Sequence, residues 1–316
     1  MLAYESKQDS EKRETIPSPE TAAARCIYIV ARKRIHADPA AKGGRIIPDS
    51  WVMTSICPEY IPKTCQPLFT GMDRLTARWQ PLAPTHCQLA LLDLDTLQPL
   101  IEQAEALSFL TTLLSPAETE LFRRFRYAKR RLEWLGGRLA AKHCLHGLLN
   151  EDVSGRHLYA TYSILPDTHG RPRLAIPLTE YPTASISISH SRGYAAALVH
   201  QRGDCGIDIQ QKTPKLAAVQ ERFTSDEELR LLHPITDTLT RLGLLWTAKE
   251  AVKKCLLADH PSFFGIIKLA EAKYEPIERI WTVHCRLTHP AALSATVRIA
   301  ELDEHLIACA SGEPHA

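Results

Sequence analysis

The run Leu244-Leu245-Trp246-Thr247-Ala248-Lys249-Glu250-Ala251-Val252-Lys253-Lys254 constrains this chain more than any other stretch. Leu, Ala, Lys and Glu dominate it, and neither Gly nor Pro falls between Leu244 and His260, so a helix is predicted. A surface helix gathers its charges on one side, and this one does not. Lys249 has Leu245, Trp246 and Val252 as its i−4, i−3 and i+3 neighbours, which puts an ammonium inside the apolar stripe. Glu250 and Lys254 lie four apart on an adjacent face. The spacing alone fits a solvated Glu–Lys pair, with Lys249 laying its stem along the core. On spacing alone that reading is favoured, and the sharper one, a site that needs an acid and a base side by side, requires a partner.

A partner for that helix lies upstream at Gly206-Ile207-Asp208-Ile209-Gln210. The alternation predicts a strand with Asp208 and Gln210 on one face and Ile207 and Ile209 on the other. An Asp on a strand and a Glu on a following helix can share a hard cation through their oxygens. Ser185-Ile186-Ser187-Ile188-Ser189-His190-Ser191 alternates too, and breaks at His190.

These three pieces, in this order, resemble the Sfp-type 4'-phosphopantetheinyl transferases. That family shows Ser-His-Ser, then Gly-Ile/Val-Asp on a strand, then Trp/Phe-Ser/Thr-x-Lys-Glu-x-x-x-Lys on a helix. The resemblance spans residues 86 to 312 and takes in two further segments. Lys129-Arg130-Arg131-Leu132-Glu133-Trp134-Leu135-Gly136-Gly137-Arg138 is similar to the family's Lys-Arg-x-x-Glu-x-Leu-x-Gly-Arg, and Gly170-Arg171-Pro172 to its Gly-Lys/Arg-Pro turn.

The resemblance implies an α+β fold of two similar α/β subdomains in pseudo-two-fold arrangement, although no sequence repeat is detectable. It divides the chain into a Pro-rich extension (1–85), a half with coenzyme A phosphate contacts (86–204) and a half with the metal site and catalytic helix (205–316). The implied reaction moves 4'-phosphopantetheine from coenzyme A to a serine of an apo acyl or peptidyl carrier protein and releases 3',5'-ADP. Asp208 and Glu250 would hold Mg2+ or Mn2+, with Gln210 where many bacterial relatives carry Glu. Glu250 would also accept the serine proton, and Lys254 and Lys249 would neutralise phosphate charge. Lys129, Arg130, Arg138, Arg171, Ser189 and His190 would meet the coenzyme. Lys212, Lys215 and Arg222 are the basic residues placed to meet the carrier. A metal-dependent pyrophosphatase acting on coenzyme A or nucleotides, and a carrier-binding homologue without catalysis, are the alternatives.

Composition fits this frame. Between Arg123 and Lys142 stand eight Arg and Lys against Glu133 alone, a segment of +7 in a chain of net charge +2. Nine cysteines without a C-x-x-C pair predict free thiols rather than a disulfide framework or zinc site, hence a reducing cytoplasm. No apolar run reaches membrane length, and no secretory leader is expected. Neither a nucleic acid nor a membrane is expected as partner, and the chain is expected to be a monomer.

Local signals fill in the elements. His86–Leu94 reads as a buried strand, and Ser115-Pro116-Ala117-Glu118 as a capped helix start. A basic helix is predicted from about Lys129 to Leu149, where Gly136-Gly137 marks a close approach by a neighbour. Ala195–His200 and Cys205–Ile209 are predicted to pair as a hairpin, and Thr224–Glu227 to form a capping box ahead of another helix. Ile280–Leu287, Ala295–Ile299 and Leu306–Ala310 alternate like antiparallel strands. Met1–Glu20 reads as disordered, Cys26–Val30 as a short strand, and the prolines from Trp51 to Trp79 argue against regular structure there.

Overall fold

Five of the seven residues of Cys87–Asp93 are apolar and those five are buried, as packing on both faces of a sheet demands. The structure is a computed structural model that describes residues 61–149, 158–257, 259–260, 262–289 and 293–312. The expected leader Met1–Glu20 and strand Cys26–Val30 lie outside the described residues. Cys87–Asp93 is β1, the edge of a three-stranded antiparallel sheet with β4 (Ser185–Ser191) and β5 (Tyr194–His200), in the order β1-β5-β4. Ala90 and Leu92 point into a core under the helix Ala128–Leu148, and Leu89 and Leu91 into a second core on the opposite face. The paired glycines seat that helix on the sheet. A Cβ at Gly136 would fall 2.5 Å from Leu94 Cδ2, and one at Gly137 would fall 2.8 Å from Ile188 Cγ2.

The second sheet has five antiparallel strands in the order β6-β10-β9-β8-β7. They are β6 (Cys205–Gln211), β7 (Ile267–Glu275), β8 (Ile280–Leu287), β9 (Ser294–Leu302) and β10 (His305–Gly312). The helix Thr238–Leu256 covers one face of this sheet. The other face packs against the first sheet, with Ile207, Ile209, Ile307 and Cys309 meeting Leu89, Leu91, Ala196 and Leu198. The layers therefore run helix, sheet, sheet, helix, the α+β fold of two similar halves expected from the sequence.

Among the described residues the helices are, in chain order, α1 (Gln66–Trp79), α2 (Leu94–Ile101), α3 (Ala104–Thr112), α4 (Pro116–Arg124), α5 (Ala128–Leu148), α6 (Asp226–Leu231) and α7 (Thr238–Leu256). Both halves repeat one device. Ser115 caps α4, and the buried Glu118 takes the Ile164 N–H at 3.2 Å and the Lys142 ammonium of α5 at 2.8 Å. Ser225 caps α6, and the buried Glu228 takes the Leu269 N–H at 2.8 Å and the Lys249 ammonium of α7 at 2.6 Å. The cap expected from Thr224 to Glu227 thus sits one residue later, because Glu228 is the acid that reaches the buried lysine.

The expected hairpin between Ala195–His200 and Cys205–Ile209 does not form. Strands β1 and β4 occupy both edges of β5, so β6 pairs with β10 instead. The other edge of β6 is met by side chains of β4. The Oγ atoms of Ser187, Ser189 and Ser191 accept the N–H groups of Ile207 at 3.0 Å, Ile209 at 3.3 Å and Gln211 at 3.2 Å. The matching two-residue steps show that the strands run parallel, and this serine seam joins the two sheets.

On the N-terminal side the chain is regular where its prolines predict otherwise. Helix α1 is regular despite its prolines, because Pro67 lies in its first turn, where no intrahelical N–H is needed, and Pro81 follows its end. It buries Leu68, Phe69 and Met72 in the first core. Just past it, Gln80 closes the outer edge of β1, accepting from Leu89 N at 3.1 Å and donating to Cys87 O at 3.0 Å. The seven described cysteines are all unpaired and buried. No described helix is long and apolar enough to cross a membrane.

If the seam joins the sheets, Ser187→Ala strands the buried Ile207 N–H and should cost about 1–3 kcal/mol. Urea unfolding reads this directly, and an unchanged midpoint would mean that the hydroxyl contributes nothing.

Candidate active site

Asp208 and Gln210 sit on the face of β6 that α7 covers. The strand and helix approach so closely at Gly206 that a Cβ there would lie 1.9 Å from the Ala251 carbonyl oxygen. This contact brings the last turns of α7 against Asp208. Lys254 Nζ donates to Asp208 Oδ1 at 2.8 Å and to the Ile207 carbonyl at 2.9 Å. Ser189 Oγ donates to the same Oδ1 at 2.9 Å. Glu250 is half-buried one turn before Lys254. Burial, and then the negative charge of Asp208, hold its carboxyl above the usual range, while Lys253 and Lys254 pull the other way. Two carboxylates from different elements are thus held within electrostatic reach, with the Lys254 ammonium on one of them.

Among the described residues no three His, Cys, Asp or Glu side chains form a metal-holding group. The donor set here is two carboxylates and an amide. Gln210 Nε2 donates to the Gln211 carbonyl at 3.0 Å, which leaves the amide oxygen as its acceptor atom. Carboxylate and amide oxygens are the hard donors that Mg2+ or Mn2+ takes, and like-charged carboxylates gain from a cation between them. The residues present fit the ion expected from the sequence.

The first half contributes the N-terminal turns of α5 and the end of β4. Arg130 Nη1 lies 3.4 Å from His190 Nε2, and its guanidinium covers the Phe125 ring at 5.4 Å. Glu133 Oε1 lies 3.7 Å from both His190 Nδ1 and Lys129 Nζ. Burial holds the His190 imidazole below its usual value; Glu133 opposes this, and the cations Arg130, Lys254 and Lys129 reinforce it. Lys254 acts on Asp208 and His190 alike, so the two halves share one electrostatic site. Arg171 stands at the tip of a hairpin formed by β2 (Ile164–Pro166) and β3 (Pro172–Leu174), and its Nη2 donates to the Lys254 carbonyl at 2.5 Å. A cavity of about 190 Å³ opens beside it, lined by Arg171, Pro172, Ile186, Ile188, Lys253 and Lys254.

Of the residues expected from the sequence, Asp208, Glu250, Lys254, His190, Arg130, Lys129 and Arg171 join one network of contacts and charges, the groove of this site, and Gln210 lies on the same face of β6 as Asp208. Two do not. Lys249 is buried and turned about 100° round the helix from Glu250, with its ammonium on Glu228 at 2.6 Å and the Phe223 carbonyl at 2.7 Å. Arg138 is buried too, donating to the Ile164 carbonyl at 3.1 Å, with Glu118 at 3.9 Å and the Trp134 ring at 4.7 Å. Both cations face the interior of their halves because a buried glutamate there requires them. Ser189 is in the groove, but its hydroxyl engages Asp208. Glu133 is a site residue that the sequence reading does not single out, although its i,i+4 spacing from Lys129 is a signal for it. Of the basic residues expected to meet a carrier, Lys212 pairs with Glu301 at 3.0 Å and Arg222 covers the Phe264 ring at 5.0 Å.

Lys249→Met leaves a buried, unpaired Glu228 and should cost about 3–5 kcal/mol, whereas adding Glu228→Gln should recover much of that loss. Denaturant titration of both singles and the double reads the coupling. Additive losses would contradict the pairing.

Comparison with known proteins places the second half. The 4'-phosphopantetheinyl transferase superfamily matches residues 204–310. The holo-[acyl-carrier-protein] synthase of Halalkalibacterium halodurans is 32% identical over 109 residues, which is 34% of this chain and 87% of that protein. The corresponding synthase of Geobacillus kaustophilus is 36% identical over 110 residues, 34% of this chain and 81% of that one. The crystal structure of Thermotoga maritima holo-[acyl-carrier-protein] synthase covers 44% of this chain and 74% of its own, at 22% identity and a TM-score of 0.29.

Proposed function

Because the chain belongs to the 4'-phosphopantetheinyl transferase superfamily, we propose that it moves 4'-phosphopantetheine from coenzyme A to a serine of an apo acyl or peptidyl carrier protein, as an Sfp-type enzyme with both halves on one chain. The observation that carries this reading is the Asp208–Lys254–Glu250 arrangement, inside the matched span and beside a basic groove. The two-half architecture within a single chain supports the Sfp type.

Phosphoryl transfers of this kind depend on positioning and charge neutralisation. Asp208 and Glu250, with the Gln210 amide oxygen, would hold Mg2+ or Mn2+, and that ion supplies the charge compensation a pyrophosphate needs. Gln210 brings no negative charge, so ion binding should tighten when the coenzyme's pyrophosphate is present. The cavity beside Arg171, together with Lys129, Arg130 and His190, offers the cations and donors that phosphates require. A largely neutral His190 can donate one N–H to a phosphate oxygen without adding to the charge of Arg130. Glu250, one turn before Lys254, is the carboxylate placed to accept the serine proton, directly or through a water. Lys254, already on Asp208, neutralises the leaving phosphate. Lys249 supports the helix through Glu228 and stays away from the phosphates.

The test is incubation with coenzyme A, Mg2+ and an apo carrier protein, followed by the intact mass of the carrier. A gain of one phosphopantetheine is expected, with Asp208→Ala and Glu250→Ala each lowering the rate at least about 100-fold (~2.7 kcal/mol). Coenzyme A cleaved equally well without a carrier would indicate a pyrophosphatase. Coenzyme A bound but never transferred to any carrier would indicate a binding homologue.

A further inference from the structure

We propose that Ser189 is a positioning residue for Asp208, acting on cation binding rather than on the coenzyme; this rests on the transfer reading and its metal site. The hydroxyl is buried, with the residue 6% exposed, and its bonding is determined on both sides. Its oxygen accepts the Ile209 N–H at 3.3 Å, so its own proton must go elsewhere, and the acceptor present is Asp208 Oδ1 at 2.9 Å. A serine hydroxyl has one proton to give, so a hydroxyl committed to Asp208 has none for a phosphate oxygen.

The consequence falls on the carboxylate. Oδ1 receives two donors from opposite halves of the protein, Ser189 from β4 and Lys254 from α7. Two donors on one oxygen, one of them the buried Ser189 hydroxyl, set the rotation of the carboxylate about its last bond. Oδ2, which takes no hydrogen bond among the described residues, is then held in one orientation for a ligand. Without Ser189, Lys254 alone orients Asp208, and a flexible ammonium can follow either oxygen as the carboxylate turns. Partners behind a metal-binding carboxylate are worth about 10–100-fold in metal affinity. The seam also supplies a control. Ser187 makes the same bond to the backbone of β6, at 3.0 Å to Ile207 N, while the side-chain hydrogen bonds to Asp208 among the described residues come from Ser189 and Lys254.

The test measures Mn2+ binding by electron paramagnetic resonance with coenzyme A present, the Mg2+ requirement of transfer, and coenzyme A binding by calorimetry in a chelator. Ser189→Ala should weaken Mn2+ about 10-fold or more and raise the half-saturating Mg2+ by the same factor. Its affinity for coenzyme A without metal should stay within about twofold of wild type. Ser189→Thr, which keeps the hydroxyl, should restore ion binding, and Ser187→Ala should leave ion binding within about twofold. If Ser189→Ala instead weakens metal-free coenzyme A binding and leaves Mn2+ unchanged, Ser189 is a coenzyme ligand and the proposal is overturned. An equal loss of ion binding in Ser187→Ala overturns it as well, because general loosening of the seam is then the cause. Retention of both ion binding and transfer in Asp208→Ala is a distinct result. It removes the metal reading itself, and the Ser189 role with it.

Discussion

The structure depends on the row of serine hydroxyls between β4 and β6. Each sheet has an edge strand at this junction, and an unpaired strand edge inside a protein leaves backbone N–H groups that cost free energy if unmet. A continuous backbone ladder would fuse the two sheets into one. Hydroxyls at alternate positions of β4 meet the N–H groups of Ile207, Ile209 and Gln211 while keeping two separate sheets. The same arrangement sets one serine against Asp208. Joining the halves and orienting the acid are therefore one structural act, and the groove lies where the seam is.

The buried Glu–Lys pairs fix the other side of the groove. Breaking one member of such a pair is costly, so each holds its long helix at a defined height and rotation on the sheet. In the second half the pair is Glu228–Lys249, and Glu250 is the next residue along the helix. The rotation that buries Lys249 turns Glu250 toward β6. In the first half the same device, Glu118–Lys142, seats α5 so that Arg130 and Glu133 reach His190. The stability of each half and the placement of its polar residues thus share a cause.

The sequence carried the central elements because they are periodic. The alternation around Asp208 and the unbroken helix through Glu250 gave the right faces, and the Gly136-Gly137 pair correctly marked a close approach. The position of Lys249 inside an apolar stripe was the sign of a buried ion pair, but the acid that completes it stands 21 residues earlier in the chain, so only the fold identifies it. Arg138 was unreadable for the same reason: a basic run does not say which of its members turn inward. The false hairpin came from treating sequence neighbours as spatial ones, when both edges of β5 were already occupied. Prolines misled the reading of Gln66–Trp79 because they stand at positions a helix tolerates.

The central claim is that Glu250 and Asp208 are held as a like-charged pair in a half-buried groove. Burial and the Asp208 charge raise the proton affinity of Glu250 in the folded state. The native state then binds protons more tightly than the unfolded chain, so stability falls as pH rises from the unfolded carboxyl value through the folded one. Above that window the full penalty is present. Thermal unfolding of the metal-free protein and its Glu250→Gln variant across pH measures this directly. The account predicts a higher Tm for the variant at neutral pH, with the difference closing as pH falls through the folded Glu250 value and gone below the unfolded carboxyl value of about 4.3. Equal stability at neutral pH, or a less stable variant, would contradict it.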